Sequence, residues 1–214
     1  MPVATSAPRL RITDWAHEQL RLAVINGDLA PGARLSVPAL ARDLGVSRSP
    51  IRQAVQQLIT DGLAIEHSHR GASVRVLDRA DLVAVYAVRE VLEGLAARQA
   101  AELVDDALRA DLQATLDRHA LHIADDDRAG HAREDMAFHR RLRVASGNHV
   151  LIAALDNLQL RIQLAMYTTI VTAGPDLALA DHRQIAAAVM RGDADAAESS
   201  ARSHIARLRR NLEE

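Results

Sequence analysis

Leu44-Gly45-Val46-Ser47-Arg48-Ser49-Pro50-Ile51-Arg52-Gln53-Ala54-Val55 decides how the N-terminal third of this chain folds. Gly45 permits a sharp turn after a preceding helix, and Ser47 stands where the next helix needs an N-cap. From there Ile51, Ala54, Val55, Leu58 and Ile59 recur at helical spacing and must face a core, leaving Arg48, Ser49, Arg52, Gln53 and Gln56 on the outer face. The segment reads as the turn and recognition helix of a DNA-binding helix-turn-helix. Arginine pairs in a bidentate way with guanine or clamps a phosphate, serine and glutamine donate and accept, and a helix N-terminus attracts phosphate.

The flanking sequence extends this reading in both directions. Upstream, a helix from Val37 to Leu44 is expected, with Ser36 as N-cap and Pro38 tolerated in the first turn. Before it come a helix over Thr13–Asn26 and the loop Gly27-Asp28-Leu29-Ala30-Pro31-Gly32. Downstream, Asp61-Gly62 closes the recognition helix, and Leu63–Glu66 and Ala72–Val76 read as two short strands joined by His67-Ser68-His69-Arg70-Gly71. That hairpin is a wing whose Arg70-Gly71 tip brings a cation and bare backbone near a groove or phosphate. The alternative, a helical hairpin with ordinary surface arginines, leaves the ordered succession of helix, loop and wing unexplained.

The chain of 214 residues, about half apolar, is long enough for two modest cores. We place the domains at 1–77 and 78–214, with Leu77-Asp78-Arg79 as the joint. No apolar run spans a bilayer and no signal-peptide pattern opens the chain, so the expected location is cytoplasmic, with no membrane partner. The absence of cysteine excludes disulfides and thiolate metal sites. All 26 basic residues are arginine, which a G- and C-rich genome explains without any functional reading. Residues 1–78 hold nine arginines against seven acidic residues, whereas residues 79–214 hold seventeen against twenty-one. DNA binding must therefore rest on a local patch, for which Arg34, Arg42, Arg48, Arg52 and Arg70 are the candidates, and it should weaken as salt rises.

Beyond Asp78 the periodicity is helical, with helices predicted at about 79–102, 107–126, 129–145, 149–172, 177–190 and 194–211. The whole is mostly α: a winged helix-turn-helix followed by a bundle of about six helices. In the third helix of that bundle Asp135 and His139 stand four apart beside Phe138 and Leu142, so both side chains leave the inward face. His182 lies on the stripe through Ile185 and Val189, and His204 on the stripe Ala201, Ile205 and Leu208. The last two helices form a hairpin about Gly192-Asp193, and both histidines are eleven residues from Asp193, hence at similar height. One carboxylate and three imidazoles converging in a helical core suit a divalent transition metal; hydrogen-bonded core histidines are the alternative. The remaining histidines, His17, His67, His69, His119, His122, His131 and His149, read as surface or local packing residues. Arg89 falls on the inward stripe of Leu82, Val85, Tyr86, Leu92 and Ala96, where a guanidinium needs an anion. Glu93 is one candidate; the carboxylate of a bound ligand is the other.

Two family resemblances join these pieces. The run Val24-Ile25-Asn26-Gly27-Asp28-Leu29-Ala30-Pro31-Gly32-Ala33-Arg34-Leu35, with Leu40-Ala41 and Gly45 to Arg52, resembles the winged-helix N-terminus of GntR-family bacterial transcription regulators. The resemblance implies operator contacts from Ser47, Arg48, Ser49, Arg52 and Gly71. Asp135-Met136-Ala137-Phe138-His139, Ala145-Ser146-Gly147-Asn148, Asp181-His182-Arg183 and Gly192-Asp193-Ala194 before His204 resemble the FCD effector domain of the FadR branch. It implies zinc or a similar ion held by Asp135, His139, His182 and His204, a small carboxylate effector reached by Arg89, and a homodimer reading two operator half-sites. A metal-dependent hydrolase or lyase is the competing class, since an open His/Asp site also activates water.

Overall fold

The computed structural model describes residues 7–68, 71–166 and 175–213. Among these residues nine helices and three strands form two compact units. One unit holds the chain up to Asp78 together with the stretch that begins at Gln159; the other holds Arg79–Leu158 and the last two helices.

In the first unit α1 (Ala7–Ile25) precedes β1 (Arg34–Leu35), α2 (Val37–Asp43), α3 (Arg48–Thr60), β2 (Ala64–His67) and β3 (Gly71–Val74). Ile51, Ala54, Val55 and Leu58 make α3 amphipathic and bury against Ala16, Leu20 and Val24 of α1. Hydrogen bonds hold the pair in register: Thr13 Oγ1 donates to Gln53 Oε1 at 2.9 Å, and His17 Nε2 meets Asp61 Oδ2 at 2.7 Å. Gly45, at φ +66°, turns the chain between α2 and α3 in a conformation that a side chain disfavours. Ser36 and Ser47 occupy the N-cap positions, yet neither side chain makes a capping hydrogen bond.

The three strands form an antiparallel sheet in the order β1-β3-β2, pairing Arg34 with Ser73 on one side and Ile65 with Ser73 on the other. The wing is therefore three-stranded. Its predicted strands appear shifted by about a residue, and β1 was not expected: two residues are too short for alternation to register, and pairing with β3 defines them.

The second unit is wholly helical: α4 (Arg79–Glu102), α5 (Asp106–Ala124), α6 (Arg128–Ala145), the first half of α7 (His149–Met166), α8 (Pro175–Met190) and α9 (Ala194–Glu213). The predicted continuation of the fourth of these to residue 172 lies partly outside the described residues. Helix starts are set by side-chain caps: Asp105 accepts from Leu108 N, Asp127 from Gly130 N and Asp193 from Ala196 N. α4 runs along α9, α8 packs on α9, and α5 pairs with α6, burying Ala97, Ala100, Leu112, Leu116, Phe138, Leu142, Ile185, Val189 and Ala201 in one core. Half of the buried residues of this core are alanine, which lets the helices approach closely, and the larger rings of Phe138 and the inward histidines fill what remains.

Candidate metal centre and nucleic-acid face

Burial of one side of α3 leaves the other side free. Ser47, Arg48, Ser49, Arg52, Gln53 and Gln56 are all exposed, as the periodicity required. With no cap bond to make, the Ser47 hydroxyl is available at the helix N-terminus, where backbone N–H groups and the helix dipole already favour an anion. Arg34 is exposed on β1. Gly71 opens β3 at φ +84° with nothing within 4 Å of where a side chain would start. Arg70 lies outside the described residues. Arg42, the remaining candidate of the basic patch, is exposed and 4.0 Å from Asp43.

In the second unit α6, α8 and α9 each contribute one inward histidine. His139, His182 and His204 are 2, 0 and 2 % exposed, and one ring nitrogen of each lies within 4.8 Å of the others. The rings meet at 5.1 Å between His139 and His182, 5.3 Å between His139 and His204 and 4.9 Å between His182 and His204. The hairpin about Gly192-Asp193 thus brings His182 and His204 to the same height. Asp135, one turn before His139 on α6, reaches His182 Nε2 with Oδ1 at 3.6 Å; its side chain is one-third exposed, at the mouth of the cluster. Phe138 stacks on His182 at 4.2 Å and closes the other side.

Carboxylates back two of the imidazoles. His204 Nδ1 donates to Asp181 Oδ2 at 2.9 Å, which turns Nε2 inward, and Arg207 Nε donates to the same oxygen at 3.0 Å. His139 Nδ1 stands 3.4 Å from Glu93 Oε2, a loose contact, and Glu93 Oε1 accepts from Arg89 Nε at 3.3 Å. Arg89 is buried, with its guanidinium 5.4 Å from the Tyr86 ring centre. So Arg89 does point inward, and within the described residues it pairs with Glu93.

The electrostatics follow from burial and these partners. Burial pushes His182 well below the ordinary imidazole pKa and lowers His204 as well, although Asp181 opposes the second shift. Both rings are therefore neutral at pH 7, with lone pairs to offer. Burial opposes ionisation of Glu93, but His139 and Arg89 outweigh it and bring its pKa down to about 2. Asp181, drawn down by His204 and Arg207 against its own burial, also lies at about 2. Desolvation acts to raise Asp135, but its interactions with His182, His139 and Arg89 outweigh that and hold it below the usual carboxylate range.

Five of the trio's six ring nitrogens have no hydrogen-bond partner among the described residues. Leaving a buried polar atom unpaired costs about 1–3 kcal/mol, so the cluster is poorly explained as ordinary core packing. Ligands sharing an ion through bonds of about 2.1 Å stand roughly 3–4 Å apart, and the Asp135–His182 separation falls there. Three imidazoles and a carboxylate are a donor set that suits a divalent transition metal.

His119 is closer to this cluster than its sequence reading suggested. It is fully buried, 5.5 Å from the His182 ring, and its Nε2 is 2.6 Å from His131 Nδ1. Its place on the α5 stripe of Leu112 and Leu116 was the available signal. Glu93 and Asp181 as supports for His139 and His204 were not foreseen; which helix faces meet is not written in one helix's periodicity.

Comparison with known families settles the class. The model for bacterial regulatory proteins of the gntR family matches residues 13–74, and the model for the FCD domain matches residues 84–207, more than half of the chain. This chain is a GntR-family transcriptional regulator. Its FadR-like plan, a winged helix-turn-helix followed by an FCD domain, is shared along its length. The HTH-type transcriptional regulator YdhC of Bacillus subtilis is 30 % identical over 88 % of this chain and 85 % of its own. The HTH-type transcriptional repressor RspR of Escherichia coli is 24 % identical over 92 % of this chain and 87 % of its own. Among solved structures, a GntR regulator from Rhodococcus sp. RHA1 superposes with a TM-score of 0.74 at 25 % identity, covering 94 % of this chain and 96 % of that one. Escherichia coli McbR/YncC has the same fold, with a TM-score of 0.77 at 20 % identity over 94 % of this chain and 97 % of that one. The families and relatives are transcriptional regulators, not enzymes, so the hydrolase or lyase reading is not favoured. No helix among the described residues is long and apolar enough to cross a membrane.

Proposed function

We propose that this GntR regulator binds its operator as a homodimer and adjusts that binding through a metal-dependent carboxylate sensor in its FCD domain. The observation that carries the sensor is the buried trio His139, His182 and His204 with its unpartnered nitrogens. Asp135, His139, His182 and His204 would hold the ion, zinc or a similar divalent metal. Such an ion, when bound, supplies localised positive charge and an open position for a carboxylate oxygen. Asp181 and Glu93 fix the orientation of His204 and His139 from behind, as outer carboxylates do for ligating imidazoles. Arg89, one helical turn from Glu93, is a buried guanidinium that would take a second carboxylate oxygen of the effector, at the expense of its 3.3 Å bond to Glu93. A contact present only with effector bound is what an allosteric shift requires.

At the other end, Ser47, Arg48, Ser49 and Arg52 on α3 face the major groove, while Arg34, Arg70 and Gly71 lie along the backbone or the neighbouring groove. Two-fold symmetry in the protein then matches two half-sites in the operator. Operator fragments selected from genomic DNA provide the test. Their affinity is measured with metal-loaded and chelator-treated protein, with and without a panel of small carboxylic acids. Affinity that changes with metal and with at least one acid is expected; affinity indifferent to all of them sinks the sensor reading.

A further inference from the structure

We infer that the outer groove between α8 and α9 is a second ligand site, for a phosphate-bearing small molecule. The groove has a volume of about 290 Å³ and is lined chiefly by Gln184, Ser199, Ser200, Ser203, Arg207 and Arg210, with Asp181 and His204 of the histidine cluster also in its wall. Ser199, Ser203, Arg207 and Arg210 recur at i, i+4, i+8 and i+11, so one face of α9 presents donors continuously. The three serine hydroxyls make no hydrogen bond among the described residues. Arg207 Nη1 is buried and has no acceptor among them. A buried guanidinium nitrogen without an acceptor is costly.

Asp181, the one carboxylate lining the groove, is already occupied by His204 and Arg207. Two guanidiniums and three hydroxyls therefore offer more donors than the two oxygens of a carboxylate accept; a phosphate group brings three strongly accepting oxygens and more charge. A pocket of this size suits a small molecule. Its occupant would share Arg207 with Asp181, and Asp181 orients His204. That consequence alone rests on the metal reading; the site itself does not.

The test is titration of full-length, chelator-treated protein with inorganic phosphate at ionic strength fixed with chloride, followed by calorimetry and thermal shift. Saturable binding is expected, weakened about tenfold or more by Arg210→Gln and several-fold by Ser203→Ala; both residues are exposed, so the fold is retained. Arg128→Gln, an exposed residue of α6 outside the groove, should leave phosphate binding unchanged. No saturable response, or one that Arg210→Gln leaves undiminished, overturns the proposal. Because no metal is present during the titration, either failure leaves the metal reading untouched.

Discussion

Replacing His182 by leucine should leave the metal-free protein as stable as before or slightly more so, while abolishing its stabilisation by metal. His182 is fully buried and neither ring nitrogen has a hydrogen-bond partner among the described residues. At the lower end of about 1 kcal/mol for each unpaired nitrogen, removing both gains about 2 kcal/mol. Against that stands the stack on Phe138 at 4.2 Å, worth about 1 kcal/mol beyond its area. Leucine restores most of the apolar volume, and partly exposed Asp135 turns to water when its imidazole partner goes. The balance is about +1 kcal/mol for the chelator-treated protein, where an ordinary buried deletion costs about 2–5 kcal/mol.

With metal at a thousand times its dissociation constant, the wild-type protein gains about 4 kcal/mol by mass action, which raises the midpoint of a domain this size by roughly 10 °C. The variant should gain little. Trp15, the one tryptophan, lies in α1 and reports on the first unit; far-ultraviolet circular dichroism and calorimetry are the readouts for the helical domain. A His182→Leu protein that loses more than about 2 kcal/mol in chelator would show that His182 is an ordinary packing residue whose nitrogens are satisfied. One that keeps the full metal-induced shift would show that the ion, if bound, sits elsewhere.

Three further outcomes are expected. Arg52→Ala should weaken operator binding about tenfold to a hundredfold; fluorescence anisotropy over a salt series then tells a lost phosphate contact, with a slope shallower by about one, from a lost base contact, with discrimination relaxed at one position. Glu93→Gln removes the carboxylate shared by Arg89 and His139, leaving a buried guanidinium without its anion; urea denaturation should show a loss of about 3–5 kcal/mol, and metal titration a fall of about tenfold to a hundredfold in affinity. An unchanged urea midpoint would place the Arg89 charge on another partner. Acid should destabilise the metal-free protein in two stages. His182 and His204 lie below their ordinary 6.5 in the fold, so from about pH 6.5 downward the unfolded chain takes up protons that the folded chain refuses. Glu93 and Asp181, ordinarily at 4.5 and 3.8 but near 2 when folded, add a second loss as the pH falls through that range. A urea midpoint that rises between pH 7 and 5 contradicts the first stage.

The first unit was legible because its segments carry both a period and punctuation. Ile51, Ala54, Val55 and Leu58 are buried and the residues between them are exposed, so the α3 stripe alone assigned an inner and an outer face. Gly45 marked the turn for the same physical reason that it sits at positive φ. What remained hidden was pairing: β1 exists because Arg34 and Leu35 meet Ser73 and Ala72, and two residues carry no alternation of their own. The serine caps show the converse. Position predicted Ser36 and Ser47 correctly as N-cap residues, but position does not say which hydrogen bond the hydroxyl makes, and neither makes the capping one.

For the histidine cluster the division falls between a hairpin and a bundle. His182 and His204 are related by a two-residue turn, so counting eleven residues from Asp193 on either side places them together, and their rings lie 4.9 Å apart. His139 and Asp135 share one helix, where four residues make one turn. Nothing comparable relates Glu93 to His139 or His119 to His182, because α4 with α6 and α5 with α8 are joined by packing alone. Glu93, set between Arg89 on its own helix and His139 on α6, is a contact that neither helix's period predicts. The carboxylate beside His139 is thus also a buried contact between α4 and α6, and in the proposed sensor a change at the metal would reach the first helix of the domain through that one residue.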